Sequence, residues 1–337
     1  MQSQEIRLKK RPVGIPESDD FEIVQTQLPE ATDGEIVVEN VSLTVDPYMR
    51  GRMIDRKSYT PPFQIGETLT GGAIGRVTKS NSPDISVGEY VESHFGWRES
   101  FVAKASAVKT LGNLQAPASS YLGVLGMPGM TAYVGLLGVG EFKEGDVVFV
   151  SGAAGAVGSA VGQIAKIKGG TAIGSAGGED KVRHLTEDLG FDHAFDYRKG
   201  HLEKQIQEGA PDGIDIYFDN VGGDHLQAAL NCMRPNGRIP LCGAISQFNA
   251  TGGGPGPNYL TIAIGMGLTL KGFIVSNYND MRAEFDREMT QWVTSGKLKY
   301  RETIFEGLEN MPQALSLIHI SEPTRRTPIS YAVFCLK

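Results

Sequence analysis

The sequence predicts an α/β protein in which a small barrel-like β domain precedes a doubly wound parallel sheet. The first third of the chain carries short runs of β-branched residues separated by turn residues, without a helical period. From Asp146 onward, apolar runs alternate with amphipathic stretches, which is typical of parallel strands covered by helices on both faces. The length of 337 residues exceeds one ordinary core, so two domains are expected.

The amino-acid composition argues against several classes of protein. The chain has 32 basic and 39 acidic residues and a formal net charge of −7, which does not favour binding to nucleic acid or to an anionic membrane. The three cysteines, Cys232, Cys242 and Cys335, are too few and too scattered for a disulfide framework and suit a reducing compartment. No apolar run reaches membrane-spanning length. We expect a soluble cytoplasmic protein.

The elements follow one another in a regular order. The segments "EIVVENVSLTVDPYM" and "GGAIGRVTKS" predict strands of the β domain, and the pattern changes near "LGVLGMPGMTAYVGLL". Later strands are predicted at "DVVFVSG", "TAIGSA", "HAFDYR", "IDIYFDNV", "RIPLCGA" and "LTLKGFIVS", with helices between most of them. A long amphipathic helix should end at Gly296, and a strand and short helix should return to the first domain. We therefore expect one domain from 1–125 plus 297–314 and a second from 126–296.

The strongest functional signal is the stretch "VFVSGAAGAVGSAVGQIAK". Gly155 and Gly158 take the second and third places of a G-x-G-x-x-G pattern, and Ala153 takes the first. An apolar strand precedes this turn and a helix follows it at once. Small residues permit a tight turn whose backbone approaches a pyrophosphate, and the helix N-terminus receives its negative charge. The pattern in this context predicts a dinucleotide site.

The next strand predicts which dinucleotide is bound. A site for NAD usually ends that strand with an acid for the ribose hydroxyls. Here it ends in "AIGSAGGEDK", with Ser175 near that place and small residues after it, while Glu179 and Asp180 read as the first turn of a helix. Lys181 can reach a 2′-phosphate as a cation, although it also reads as an ordinary surface lysine. The pattern favours NADPH.

A metal centre is not predicted. The sequence lacks a paired-Cys cluster, and its six histidines are scattered, so the convergent ligands that zinc needs cannot be assembled from it.

Taken in order, several motifs resemble one known family. "VDPYMRGRM", "LGVLGMPGMTAYVGLL", "GAAGAVGSAVGQIAKIKG", "DNVGG", "PLCGAIS" and "EGLENMPQAL" resemble the zinc-independent medium-chain dehydrogenase/reductases. The nearest subgroup is the NADPH-dependent double-bond reductases of the prostaglandin/leukotriene B4 dehydrogenase and curcumin reductase type. The resemblance implies a GroES-like β-barrel catalytic domain, a Rossmann domain and a homodimer. It also implies metal-free hydride transfer to the C=C bond of α,β-unsaturated ketones or aldehydes.

The same resemblance assigns residues to roles. It implies cofactor contacts by Gly155, Ala156, Val157, Gly158, Lys181, Tyr197, Asn220, Cys242, Gly243, Ala244, Ile245, Ser246, Phe273, Ile274 and Val275. On the substrate side it implies Tyr48 and Tyr59 of the catalytic domain, with Tyr259 and Tyr278 from the other domain. Relatives often carry a tyrosine where this chain has Phe248. Any single tyrosine is as readily a packing residue. For Cys242 we prefer a small buried hydrophobe to a nucleophile.

Two other functions remain open at this point. A quinone reductase shares the fold and lacks zinc, and turnover of quinones without turnover of enones would identify it. A catalytically silent NADPH-binding protein would also keep the glycine turn.

The last segment, 315–337, does not continue the family pattern. Residues Leu315–Arg325 and Ile329–Leu336 resemble the translation of sequencing-adapter DNA, so we expect this tail to be non-native. Its segment "ISYAVFCL" has high β-propensity and can still pair as a strand.

Overall fold

The computed structural model describes residues 1–249, 260–318 and 332–335, the last four by their backbone alone. The chain divides into two compact units. Unit 1 comprises Met1–Gly123 with the described residues from Glu302 onward, and unit 2 comprises Val124–Arg301.

Strands dominate the first third of the chain, and helices alternate with strands after it. The strands are β1 (Gln2–Leu8), β2 (Phe21–Gln27), β3 (Glu35–Val45), β4 (Ala73–Ser80), β5 (Tyr90–Ser93), β6 (Ser100–Lys104), β7 (Lys109–Gly112), β8 (Val147–Val150), β9 (Thr171–Ala176), β10 (His193–Asp196), β11 (Ile214–Phe218), β12 (Met233–Leu241), β13 (Thr269–Gly272), β14 (Thr303–Glu306) and β15 (Ala332–Cys335). The α-helices are α1 (Tyr48–Arg52), α2 (Met127–Tyr133), α3 (Ala156–Ile167), α4 (Glu179–Arg183), α5 (Leu202–Gly209), α6 (Gly223–Cys232), α7 (Leu260–Met266), α8 (Arg282–Thr294) and α9 (Met311–Ile318). A π-helical turn continues α2 over Val134–Val139, and another continues α4 over His184–Asp188.

Unit 1 is built on β-sheet, as its β-branched sequence predicts. β1 and β2 form an antiparallel pair, and a larger sheet has the order β14-β15-β3-β4-β5-β7, with β6 also paired to β3. β15 lies between β14, to which it is parallel, and β3, to which it is antiparallel; the backbone of Phe334 is paired to Phe305 on one side and Leu43 on the other. The prediction that "ISYAVFCL" pairs as a strand is therefore confirmed for Ala332–Cys335.

The core of unit 1 combines early and late parts of the chain. Leu43, Val45 and Trp97 are fully buried in one hydrophobic cluster with residues of α9. On α9 the buried positions are Met311, Pro312, Ala314, Leu315 and Ile318, of which Met311, Leu315 and Ile318 are spaced four and three residues apart, as on one face of a helix. Leu315 and Ile318 thus pack in the same core as β1 and β3.

Unit 2 contains the predicted doubly wound sheet. In the described part of the chain this sheet has six strands, in the order β10-β9-β8-β11-β12-β13, and each neighbouring pair is parallel. Val148, Phe149 and Val150 of β8 are fully buried, as expected for a central strand covered on both faces. The fold class is confirmed. In this order the chain leaves β8 towards β9 and later returns to β11 on its other side, so a crevice opens at the carboxyl ends of β8 and β11.

Glycines set the close packing and the ends of helices in unit 2. A Cβ on Gly162 would lie 1.9 Å from the Phe191 ring, so α3 can approach that ring only with glycine there. α8 ends at Thr294, and Gly296 follows with φ +72°, which agrees with the predicted helix end. Among the described residues, no helix has both the length and the apolar character needed to span a bilayer.

Candidate functional site

The glycine turn connects β8 directly to α3. Ser151 follows the strand, Gly152 adopts φ +60°, and Gly155 is the N-cap of the helix. The turn is held by hydrogen bonds from the Gly155 amide to the Gly152 carbonyl oxygen (3.0 Å) and from the Ala153 amide to the Ser175 carbonyl oxygen (2.9 Å). The first-turn amides of an α-helix have no acceptor within the helix. The turn therefore presents amide donors and a helix dipole to an anion.

Close contacts require glycine at position 158 and leave little room at position 155. A Cβ on Gly158 would lie 2.5 Å from the Gly152 carbonyl oxygen and 2.8 Å from the Ala153 Cα, both of them backbone atoms. A Cβ on Gly155 would lie 3.1 Å from that carbonyl oxygen, which is a tight contact. The start of α3 can thus fold against the turn only where Gly158 has no side chain. This is the close packing that the third glycine of the G-x-G-x-x-G pattern provides.

A buried polar network joins the ends of β8 and β11. The Asp219 carboxylate accepts hydrogen bonds from the Tyr217 hydroxyl (2.7 Å) and from the amides of Val221 (3.0 Å) and Gly222 (2.7 Å). The Tyr217 hydroxyl also lies 3.0 Å from the Ser151 hydroxyl oxygen, within hydrogen-bond distance. Burial raises the pKa of Asp219, while its donors act in the opposite direction. The network fixes the two strand ends that border the crevice.

Asn220 and the segment after β12 meet at this crevice. The Asn220 side-chain amide nitrogen donates to the Ser151 carbonyl oxygen (2.8 Å), and the backbone amides of Cys242 and Gly243 donate to the Asp219 carbonyl oxygen (2.9 and 3.0 Å). The backbone amide of Ser246 donates to the Val221 carbonyl oxygen (3.2 Å). The structure thus brings Asn220 and residues 242–246 together beside the glycine turn.

The Cys242 thiol is unsuited to act as a nucleophile. Burial, followed by the negative charge of Asp219, raises its pKa to about 12. The thiol is therefore protonated near neutral pH, whereas a reactive cysteine needs a thiolate. This agrees with its interpretation as a small apolar residue.

Cationic and aromatic groups gather where β9 ends. The parallel register pairs Asp196 of β10 with Ala176 of β9, which places the residues after the two strands side by side. The Tyr197 hydroxyl and ring edge lie 3.2 Å from the position of a Cβ on Gly177. The His225 ring packs edge-on against Tyr197, at a centroid distance of 5.2 Å. Burial lowers the pKa of His225 to about 4, so this ring is neutral.

Lys181 and Arg198 supply the positive charge of this cluster. Burial lowers the pKa of Lys181, and the charge of Arg198 lowers it further, so the two cations are close. The Arg198 guanidinium is oriented by the Asp196 carboxylate, with Nε and Nη2 each 3.0 Å from a carboxylate oxygen, and Nη2 lies 2.7 Å from the position of a Cβ on Gly178. Guanidinium and ammonium groups bind phosphate oxygens through charge-assisted hydrogen bonds. The cluster suits a phosphate at the place where an NAD site has an acid.

Arg198 was missed by the sequence reasoning, which named its neighbour Tyr197. Its position depends on the β9–β10 register, which a single sequence does not reveal. The signal in the sequence was the pair of basic residues in "DYRKG", directly after a predicted strand.

Residues 273–275 follow β13 at the same edge of the sheet. Phe273 packs edge-on against Phe218 and Tyr278, with ring centroids 6.3 Å apart in both pairs. A Cβ on Gly135 would lie 2.6 Å from both phenylalanine rings. Phe273 and Tyr278 are therefore packed aromatic residues of unit 2. Tyr259, the other tyrosine expected here, lies outside the described residues.

In unit 1, Tyr48 and Tyr59 come together around one arginine. Tyr48 begins α1 and Arg52 ends it, and the charge of Arg52 acts to lower the pKa of Tyr48 while Tyr59 acts to raise it. Tyr48 is partly buried and Tyr59 is exposed. Burial, followed by the charge of Asp46, raises the pKa of Tyr48. The phenol is therefore a neutral hydrogen-bond donor at physiological pH.

Asp46 is a second group in this region that the sequence reasoning did not single out. Its side chain is buried, and burial raises its pKa to about 7. The signal was its place in "VDPYMRGRM", two residues before Tyr48.

The residues present fit NADPH. The tight turn at Gly155–Gly158 presents the N-terminal amides of α3 to a pyrophosphate, and the cations at Lys181 and Arg198 match a second anion one strand away. The buried Ser175 hydroxyl also lacks a hydrogen-bond partner in the structure. Within the ranges that the structure describes, there is no group of three or more His, Cys, Asp or Glu side chains that could hold a metal ion.

Comparison with known proteins gives consistent matches. Residues 4–111 match the family model described as the N-terminal domain of oxidoreductase, and residues 156–294 match the model described as zinc-binding dehydrogenase. The NADPH-dependent curcumin reductase of Escherichia coli (strain K12) is 43% identical over 311 residues, covering 91% of this chain and 90% of that protein. Prostaglandin reductase 1 of Oryctolagus cuniculus is 41% identical over 313 residues, covering 91% and 87%.

A solved structure of a similar protein has the same fold. The crystal structure of CurA in complex with NADPH from Vibrio vulnificus superposes with a TM-score of 0.92 at 40% identity, covering 99% of each chain.

Proposed function

We infer that the chain, which belongs to the medium-chain dehydrogenase/reductase family and its NADPH-dependent double-bond reductases, reduces the C=C bond of α,β-unsaturated ketones and aldehydes. The curcumin and prostaglandin reductases that it resembles are named for the reduction of such compounds. The observation in the chain itself that supports the proposal most directly is the pair of cations Lys181 and Arg198 after β9 and β10, because cations there, in place of an acid, would suit a phosphorylated dinucleotide.

The cofactor would be held by the carboxyl edge of the parallel sheet. The amides at Gly155–Gly158 would receive the pyrophosphate, and Lys181, Tyr197 and Arg198 would surround the 2′-phosphate. Asn220, residues 242–246 and residues 273–275 would line the rest of the groove. NADPH supplies the hydride.

The substrate side must stabilise the charge that hydride transfer creates. When hydride adds to the β-carbon, the π electrons of the C=C bond move towards the carbonyl and leave an enolate oxygen. Preorganised donors lower the energy of such an oxyanion. In this proposal the Tyr48 hydroxyl is that donor, with Tyr59 beside it and Tyr259 as a further candidate. A proton from solvent then adds to the α-carbon and completes the reduction.

The test is a panel assay with loss of NADPH absorbance as the signal. Purified protein would be offered linear enals, aryl enones, quinones and their saturated counterparts, with NADPH and with NADH. We expect turnover of enals and enones with NADPH, and the saturated product by mass spectrometry. Turnover confined to quinones would identify a quinone reductase. NADPH binding without turnover of any acceptor would identify a silent binding protein.

The same proposal assigns the two steps of the function to two domains of the chain. Residues 1–125 with 297–314 would form the catalytic domain, and residues 126–296 would form the cofactor domain. We also propose metal-free catalysis and a cytoplasmic location, where the described cysteines, Cys232 and Cys242, stay free.

We further propose a homodimer formed through the outer edge of the parallel sheet. β13 ends the strand order, and Thr269, Lys271 and Gly272 on it are exposed. On the neighbouring helix α7, Leu260 and Ile264 are 55% and 81% exposed. A strand edge with no partner among the described strands, beside exposed apolar side chains, favours pairing with a second copy. Light scattering should give a dimer mass for the wild type and a monomer for Ile264→Lys.

A further inference from the structure

The Arg52 guanidinium is fixed by three groups of unit 1. Its Nε donates to the Pro61 carbonyl oxygen (3.0 Å), its Nη1 donates to the Thr70 hydroxyl oxygen (2.9 Å), and its Cζ lies 3.9 Å from the centre of the Phe63 ring. Phe63 is itself buried in the core. An arginine at the end of a short helix is ordinarily solvated. Here backbone, hydroxyl and aromatic contacts together determine where the cation lies.

The fixed cation acts on Tyr48. The two residues are four apart in α1, a spacing that places side chains next to each other on one helix face. Burial, Asp46 and Tyr59 all raise the pKa of Tyr48, whereas Arg52 acts to lower it. Arg52 therefore offsets an environment that would otherwise make the phenol a weaker acid.

We propose that Arg52 is a positioning residue for enone reduction, holding the Tyr48 hydroxyl and polarising its O–H bond towards the substrate carbonyl. This rests on the proposed function, in which Tyr48 faces the developing enolate oxygen. A phenol beside a fixed cation is a stronger hydrogen-bond donor, because the positive charge favours the partial negative charge that develops on the phenol oxygen. Arg52 does not itself supply a proton or accept one, because an arginine keeps its charge. Its effect on the reaction passes through Tyr48.

The first experiment compares Arg52→Met with a matched control on the same helix. Arg50 is also buried, but its guanidinium donates to the carbonyl oxygens of Gly14 and Pro12. We expect Arg52→Met to lower kcat by about tenfold or more, because the Tyr48 phenol loses the charge that polarises it, while the KM for the enone and the Kd for NADPH change little. Arg50→Met should lower the thermal midpoint and leave kcat unchanged wherever the protein is folded.

A double-mutant cycle then tests whether Arg52 affects kcat through Tyr48. If Arg52 acts through Tyr48, adding Arg52→Met to Tyr48→Phe should cost little beyond Tyr48→Phe alone. Losses that multiply, or a kcat of Arg52→Met equal to that of the wild type, would overturn the proposal. Arg52→Lys covers the case in which Arg52→Met does not fold. It keeps the charge but not the planar fork, so it should recover part of kcat.

A measurement without turnover separates this inference from the proposed function. With tyrosine labelled at Cζ by carbon-13, the Tyr48 resonance is assigned by its disappearance in Tyr48→Phe. It should shift in Arg52→Met and not in Arg50→Met. A Tyr48 resonance that does not move in Arg52→Met refutes the coupling, whatever the enzyme reduces. Absence of enone turnover in the wild type would instead refute the proposed function and leave this spectroscopic result to decide on Arg52.

Discussion

Replacing Lys181 and Arg198 should convert an NADPH-selective site into one that no longer distinguishes NADPH from NADH. Both cations lie where β9 ends, Arg198 oriented by the Asp196 carboxylate and Lys181 close enough for Arg198 to lower its pKa. Only NADPH carries the 2′-phosphate that these cations would meet. Lys181→Ala and Arg198→Ala should therefore weaken NADPH and leave NADH nearly unchanged.

The size of the loss follows from the contact type. A hydrogen bond to a charged group contributes about 1.5–3 kcal/mol, and each 1.4 kcal/mol is about a factor of ten in Kd. Each substitution should thus raise the Kd of NADPH roughly 10- to 150-fold. The double substitution should bring NADPH close to the affinity of NADH.

The affinity for NADPH should fall as the pH rises. Burial and the neighbouring Arg198 lower the pKa of Lys181 in the free protein, so its ammonium group is lost below the pH at which an ordinary lysine titrates. As the pH rises through that value, the affinity for NADPH should fall, and the affinity for NADH should stay level. Lys181→Ala should remove this difference between the two cofactors.

Fluorescence titration with each cofactor measures these affinities. Lys199→Ala is the matched control, because Lys199 is the residue after Arg198 but pairs with Glu179 at 3.1 Å on the surface. Equal losses for NADPH and NADH in Lys181→Ala or Arg198→Ala would refute the assignment to the 2′-phosphate. A loss of NADPH selectivity in Lys199→Ala would show that general surface charge is responsible.

Four further outcomes are expected. Gly158→Ala should weaken NADPH and NADH alike, because its Cβ would lie 2.5 Å from the Gly152 carbonyl oxygen, whereas Gly265→Ala, which meets open space, should bind both cofactors normally in the same titration. Burial raises the pKa of Asp46 to about 7, so ionising it costs stability as pH rises from about 4 to 7; Asp46→Asn should raise the thermal midpoint at pH 8 more than at pH 5, and equal shifts would contradict this. Val333→Pro should lower the thermal midpoint, since β15 is paired on both sides and proline lacks the amide donor; an unchanged midpoint would argue against that pairing. Dialysis against a chelator should change neither folding nor activity, and stoichiometric zinc whose removal abolishes activity would refute metal-free catalysis.

The sequence predicted what depends on local pattern. Gly155 and Gly158 were found because a strand, a turn and a helix follow one another without interruption, and Lys181 because an expected acid is missing after the next strand. Arg198 could not be found this way, since its place beside Gly178 is set by pairing between β9 and β10. Arg52 was overlooked for a different reason. A helical arginine is ordinarily solvated, and only the contacts with Pro61 and Thr70 show that this one is fixed.

The place of β15 in its sheet affects when unit 1 can finish folding during synthesis. Ser42 of β3 pairs with Cys335 of β15, so the partners are separated by most of the length of the chain. Unit 2, by contrast, is continuous from Val124 to Arg301. On the ribosome, domains fold as units while synthesis proceeds at about 5–20 residues per second. Unit 2 can therefore fold while the chain is still growing, whereas the edge of β3 that pairs with β15 stays open until residues 332–335 have left the ribosome, and during that interval it is exposed to chaperones and to other nascent chains.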